Sequence, residues 1–279
     1  MLGTGALHPT RAWRVRLIAV IILALTAACA AACGGGSSRS SGKSSGASSA
    51  AASTGDRTTA VTRKPAPRPL PPPRHTSCRA VVYIGDSTSD GEISSDYVPD
   101  PRLRLPAQLG KIGVGTVYPE VSGARSIVET YEGIPNGASV AESHISGGFH
   151  GCWILALGTN EVADVKAGSN VGLQTRIARM MSIIGQQPVL WVNVITLLGS
   201  GYWAESGMRQ WNRDLLSDCA KYPSMRVYDW AARAKQAWFI DDGIHYTSPG
   251  YVARTRLIVK GLVRAFPRGR PASTSCLVR

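Results

Sequence analysis

Ser87 stands in Gly85-Asp86-Ser87-Thr88-Ser89-Asp90-Gly91, directly behind the apolar run Val81-Val82-Tyr83-Ile84. A serine hydroxyl is a weak nucleophile until a base takes its proton. Histidine suits that task, because its imidazole titrates near neutrality. Of the five histidines, His8 and His75 fall in the N-terminal third, outside any predicted core. His144 and His150 precede a later apolar run, at the end of its strand remote from Ser87. His245 remains, in Asp241-Asp242-Gly243-Ile244-His245. Asp242 lies three residues ahead of it, so one turn can bring a carboxylate to the ring and fix its tautomer. Asp241 competes for that role. Serine, histidine and aspartate are the residue types of nucleophilic catalysis, while Gly-Asp-Ser alone also reads as a plain turn.

The elements that must position them alternate along the chain. Residues 81–84 read as a buried parallel strand that ends in the Gly-Asp-Ser turn. A helix is predicted over 104–111 and a second strand over 115–121, placed at an edge by Pro119. Helical turns are predicted over 127–131 and 138–144. A third strand over 153–157 runs into Gly158-Thr159-Asn160-Glu161. Leu173, Ile177, Met180, Met181 and Ile184 recur at helical spacing within 171–184. A strand over 189–195, a helix over 204–220 and a fifth strand over 226–230 follow. Thr247 and Ser248 open the last helix, with Pro249 suited to its first turn. This order predicts an α/β fold, a three-layer doubly wound parallel five-stranded sheet of flavodoxin-like type. Ser87, Gly123 and Asn160 then follow strands one, two and three and face one rim with the Asp242 loop. Ligands bind beyond the carboxyl ends of such strands.

The order of these blocks resembles the SGNH (GDSL-type) hydrolase family. Residues 85–91 are similar to its first block, Gly123 to its second, Gly158-Thr159-Asn160 to its third and Asp242-Gly243-Ile244-His245 to its fifth. The resemblance spans about residues 80–266. Thr88 departs from the usual leucine and Glu161 from the common aspartate. The resemblance implies Ser87 as nucleophile, His245 as base and Asp242 as its partner. It implies an oxyanion hole of the Ser87 and Gly123 N–H groups and the Asn160 side chain. No metal or organic cofactor is implied. Residues 226–230 and 242–250 resemble SGNH domains found beside membrane acyltransferases in bacterial envelopes, which move or remove O-acyl groups on glycans. The expected activity is a serine esterase or O-acyl, above all O-acetyl, hydrolase or transferase on envelope glycan or lipid esters. A longer-chain lipase or thioesterase and a non-catalytic envelope-binding lipoprotein are the alternatives. Arg125 and Trp238 are candidate substrate contacts, and Tyr202-Trp203 and Trp238-Phe239 candidate rim aromatics.

The first third of the chain reads as an address. Arg11, Arg14 and Arg16 precede an apolar stretch over 17–27 and a small-residue run ending in cysteine. Residues 1–33 therefore resemble an export signal with a lipobox. Cys29 fits the upstream pattern and Cys33 the Gly/Ser tether behind it, and both stay open as lipidation sites. Residues 34–77 read as a Ser/Gly-rich, then Pro-rich linker, and 78–279 as the single hydrolase domain. Gly42-Lys43-Ser44-Ser45-Gly46 matches a nucleophile-elbow pattern but lacks the strand and helix that chemistry needs. The protein is expected on the outer face of the membrane as a lipoprotein, or secreted, as a monomer. A membrane acyltransferase is a possible partner. The net charge is +13, yet residues 78–279 hold 21 Lys and Arg against 17 Asp and Glu. The basicity sits mostly in the tail, which suits an anionic wall polymer or membrane surface. No basic-aromatic motif points to nucleic acid. Cys78, Cys152, Cys219 and Cys276 are an even set in an exported domain, which predicts two disulfides. Four cysteines allow three connectivities. Cys78–Cys276, tying the domain ends, with Cys152–Cys219 is the expected one.

Overall fold

The structure is a computed structural model, and it describes residues 74–279. The export signal, Cys29, Cys33 and the linker through residue 73 lie outside the described residues. Six strands form one all-parallel sheet in the order β2-β1-β3-β4-β5-β6. They are β1 (Ala80–Gly85), β2 (Thr116–Val121), β3 (Cys152–Ala156), β4 (Val189–Val192), β5 (Met225–Tyr228) and β6 (Leu277–Val278). β2 takes the edge, as its proline requires.

Alternation along β1 sorts the core into two layers. Val81 and Tyr83 belong to the cluster with α1 (Leu105–Gly110) and α6 (Ser248–Ala265). Val82 and Ile84 belong to the cluster with α2 (Gly137–Ser146), α4 (Leu173–Ile184) and α5 (Glu205–Cys219). Each layer covers one sheet face, so the strands are apolar on both sides. The sheet order reverses between β1 and β3, which opens a crevice beyond their carboxyl ends. A 3-10 turn (Ser87–Glu92) follows β1 and α3 (Thr159–Lys166) follows β3, both at that crevice.

Four sequence expectations are corrected. The sheet has six strands, not five, because the two-residue β6 pairs with β5 through Val227↔Leu277 and Tyr228↔Val278. The disulfides are Cys78–Cys152 and Cys219–Cys276, not Cys78–Cys276 and Cys152–Cys219. Adjacent strands lie about 4.8 Å apart. The lead-in to β1 and the lead-in to β6 are therefore some 19 Å apart across four intervals, while a disulfide spans Cα atoms within about 7 Å. Cys78 instead meets Cys152 at the start of neighbouring β3, with Cα atoms 5.6 Å apart. Residues 127–131 are not helical: the Ile127 N–H is held by the Glu161 Oε1 at 2.7 Å, and Tyr131 pairs with Ile134 in a tight bridge. The strand expected over 189–195 stops at Val192, beyond which the Asn212 side chain takes both the N–H and the carbonyl of Val194. Residues ahead of Cys78 also pack on the domain. Thr76 is buried and donates its N–H to the Ile112 carbonyl, and Ser77 donates to that of Phe266.

Candidate active site

Asp86 caps the 3-10 turn that carries Ser87. Its Oδ1 accepts the Thr88 N–H at 2.8 Å and the Thr88 hydroxyl at 2.6 Å. Burial pushes the Asp86 carboxyl up, and the two Thr88 bonds oppose that shift. Ser87 occupies the first position of the turn, where helical geometry leaves the N–H without an intrahelical acceptor. Gly91 lets α6 approach this turn closely: a Cβ there would sit 2.2 Å from the Tyr251 ring.

The second half of the site comes from the far end of the chain. Phe239 and Tyr246 pair in an antiparallel bridge, which closes residues 240–245 into a loop. Gly243 turns that loop at φ +68°. Asp242 Oδ1 accepts the N–H groups of Ile244 and His245 at 2.8 and 2.9 Å. Asp242 Oδ2 meets His245 Nδ1 at 2.6 Å, and His245 Nε2 meets Ser87 Oγ at 2.8 Å. Partial burial works against the Asp242 anion. The hydrogen bonds from His245 and the loop N–H groups outweigh it and hold the carboxyl below its ordinary range. Asp242 is thus ionised at neutral pH, fixes the proton on Nδ1, and aims the Nε2 lone pair at the Ser87 hydroxyl. Side-chain exposures of 33% for His245 and 39% for Asp242 make this an open site.

Gly123 and Asn160 reach the same rim. Gly123 sits in the turn after β2, and a Cβ there would meet nothing within 4 Å, so its face is open. The turn's unusual backbone falls on Ala124, at φ +55°. Asn160 is the second residue of α3, whose entry needs Gly158: φ is +151° and a Cβ would lie 2.2 Å from the Trp211 indole. Asn160 Nδ2 donates to the Arg125 carbonyl at 2.9 Å, which turns its amide nitrogen toward the Gly123 loop. The Trp203 Nε1 lies 3.5 Å from Asn160 Oδ1, on the other side of the amide. That bond uses one of the two Nδ2 hydrogens. Asn160→Ala is expected to lower kcat on an ester by about 100- to 1,000-fold with little change in KM, read by steady-state kinetics.

The two substrate candidates take other places. Arg125 is 7% exposed, and its guanidinium donates inward to the carbonyls of Pro135 (3.2 Å) and Glu120. It shapes the loop rather than offering charge to a substrate. Trp238 stacks on buried Trp230, with centroids 5.8 Å apart and planes 7° from parallel. Its carbonyl accepts the Thr247 N–H, so it braces the foot of the catalytic loop.

Buried polar groups behind the site escaped the sequence reading. Glu92 and Arg254 form a buried ion pair at 2.8 Å, and Tyr83 donates its hydroxyl to the same carboxylate. The Arg254 Nη1 also reaches the Thr88 carbonyl and the Ser89 hydroxyl. Burial opposes the Arg254 charge, but Glu92 beside it holds the guanidinium above its ordinary range. This pair ties the nucleophile's turn to the helix behind His245. Its signal was present: Arg254 interrupts the apolar stripe Tyr251, Ile258, Leu262 on the core face of α6. Arg176, fully buried on α4, likewise pins the 122–136 loop through two bonds to Glu129 at 2.5 and 2.6 Å. Asp90 is raised to about 6 by burial and by the nearby Asp86 charge.

Glu161 is fully buried, and desolvation first, then the Asp86 charge, raises it to about 8. The native state therefore holds it protonated at neutral pH, while the unfolded chain ionises near its ordinary value. The stability this group supports is complete below about pH 4.5 and is lost as pH rises through about 8. Each pH unit between costs at most about 1.4 kcal/mol. Glu161→Gln is expected to flatten stability against pH across that window, as measured by chemical denaturation at pH 5, 6.5 and 8.

Comparison with known proteins bears on the fold. No family model matches the chain, and no curated protein matches its sequence. Among solved structures, a carbohydrate acetylesterase from Sinorhizobium meliloti aligns at 16% identity and TM-score 0.51, over 67% of this chain and 100% of its own. A lipase/acylhydrolase from Enterococcus faecalis aligns at 16% identity and TM-score 0.50, over 69% and 100%. A protein from Agrobacterium tumefaciens assigned as an arylesterase aligns at 19% identity and TM-score 0.52, over 65% and 96%. The chain shares its fold, one parallel sheet between helical layers, with these acyl-ester hydrolases.

Proposed function

We propose that, on this SGNH-type hydrolase fold, the chain is a serine esterase or O-acyltransferase that works through an acyl-Ser87 intermediate. One observation carries the reading: His245 stands in line between Ser87 at 2.8 Å and Asp242 at 2.6 Å. As Ser87 Oγ bonds to the ester carbonyl carbon, its proton passes to His245 Nε2. Asp242 stabilises the imidazolium that results. The carbonyl oxygen becomes an oxyanion facing the Ser87 and Gly123 N–H groups and Asn160 Nδ2. Collapse breaks the ester C–O bond, and His245 returns its proton to the departing alkoxide. Water or a glycan hydroxyl then repeats the steps in reverse and frees Ser87.

The substrate class we propose is an O-acetylated cell-envelope glycan. The openness of the triad suits an ester borne on a polymer, and one structural neighbour is itself a carbohydrate acetylesterase. The two disulfides fit an oxidising compartment. We place residues 1–33 as the export signal, Cys29 or Cys33 as the lipid attachment, and the following segment as a tether to the outer face of the cell membrane, with secretion as the alternative. The exposed apolar side chains Leu197, Tyr202, Trp203 and Ile240 favour a second reading, an enzyme for longer acyl chains. A 4-nitrophenyl ester series from acetyl to decanoyl, with acetate release from an acetylated glycan, tests the choice. Fastest turnover of acetyl and propionyl esters with loss of glycan acetate supports the first. A maximum at octanoyl or beyond overturns it in favour of the second. Acetate appearing on an added acceptor identifies transfer.

A further inference from the structure

Arg233, Lys235, Arg256 and Lys260 line a groove of about 570 Å³ on the outer side of α6, with Trp238 and Leu257 in its wall. No acidic residue lines it. Among the described residues, none of the four cations makes a salt bridge, and Lys235 lies over the Trp238 ring at 5.3 Å. Residues 78–279 hold 21 Lys and Arg against 17 Asp and Glu, so the excess of the whole domain equals these four charges. Like charges four residues apart on a helix repel, and Arg256 and Lys260 are such a pair. A cluster of this kind lowers its own energy by taking up an anion.

We infer that this groove binds an anionic glycan chain, its phosphodiester or carboxylate groups set against the four cations. Arg256 and Lys260 are about 6 Å apart along the helix axis, and with Arg233 and Lys235 in the same lining the four cations offer a chain with repeating charge more than one point of attachment. The groove is concave, and its apolar members are recessed: Leu257 is half-buried and Trp238 is backed by Trp230. A concave lining fits a slender chain better than the flat face of a bilayer, and the exposed apolar side chains Leu197, Tyr202, Trp203 and Ile240 lie outside it. Trp238 joins the groove to the foot of the catalytic loop through its carbonyl and the Thr247 N–H. A chain held in the groove would thus lie alongside the loop that carries His245.

The test is equilibrium binding to the full chain in a Ser87→Ala background, which separates it from turnover. The probes are a sugar oligomer joined by phosphodiesters, an oligogalacturonate, neutral dextran and vesicles containing phosphatidylglycerol. Arg256→Gln/Lys260→Gln is compared with Arg209→Gln/Arg213→Gln, which removes the same charge from α5. The basic N-terminal segment contributes equally to both. The groove pair is expected to lose about tenfold or more in affinity for one or both soluble polyanions. Its plot of log affinity against log salt should be shallower by about two. The α5 pair should keep its affinity within about twofold. Whether the phosphate or the carboxylate probe binds more tightly names the charged group. Equal losses in both variants, no binding of either soluble polyanion by the parent, or binding to vesicles alone would each overturn the inference. An Arg233→Gln/Lys235→Gln variant supplies the second reading should the α6 pair alter the melting curve.

Discussion

Ser87→Ala is expected to reduce turnover of a short acyl ester by about a million-fold in kcat, with KM changed little. The residue supplies the atom that bonds to the carbonyl carbon, and no neighbouring hydroxyl takes its place. Thr88 points its hydroxyl down to Asp86 Oδ1 and Ser89 lies against Arg254. Asp242→Ala is expected to cost far less, about a hundred- to a thousandfold. A buried aspartate in this role is worth about ten thousandfold, but Asp242 is 39% exposed and water can stand in for part of its work. Single-turnover kinetics with mass detection of acyl-Ser87 distinguish the two. Ser87→Ala removes the adduct, whereas Asp242→Ala slows its formation and its decay. An adduct on any other residue would sink the assignment.

Arg254→Met is expected to destabilise the domain by about 3–5 kcal/mol, because it leaves Glu92 buried without its partner. For a domain of this size that is a fall in melting temperature on the order of 10 °C. Burial already pushes the Glu92 carboxyl up, and removing the guanidinium takes away the chief force pulling it down. Glu92 would then fold protonated, so the penalty should grow as pH rises above about 4.5, where the unfolded chain ionises. Arg254→Met/Glu92→Gln should recover much of the loss, since it leaves no charge to bury. Thermal melts of the three proteins at pH 5 and 8 check this. A penalty of the same size at both pH values would mean that lost packing around Trp230 and Tyr246, not the orphaned carboxylate, is the cause.

The Ser87, Gly123 and Asn160 positions were legible in the sequence because each follows a predicted strand. Val81–Ile84 is apolar throughout, so it must be buried on both faces, and Ser87 must then lie at its carboxyl end. Disulfide pairing was not legible, since it depends on lateral strand order. That order places β1 beside β3, four intervals from β6. β6 itself is two residues long, below any periodic signal. Ile127 and Val128 looked helical because local spacing cannot register a carboxyl 34 residues away, and the Glu161 bond to the Ile127 N–H decides that segment. Arg125 and Trp238 stand next to the functional blocks in sequence but turn aside in space. Adjacency to a motif gives a position along the chain and no direction for the side chain.

His245 and Ser87 touch across 158 residues of chain. The nucleophile therefore emerges early from a ribosome or a secretion channel, while its base emerges only when the last helix is about to follow. No nascent piece that ends before His245 can bring the two side chains together. α6 and Cys276 follow His245 in the chain, so the helix and the Cys219–Cys276 bridge form after it has emerged. Assembly of the Ser87–His245 contact is thus a late event in synthesis, because the residues that complete it are encoded far downstream.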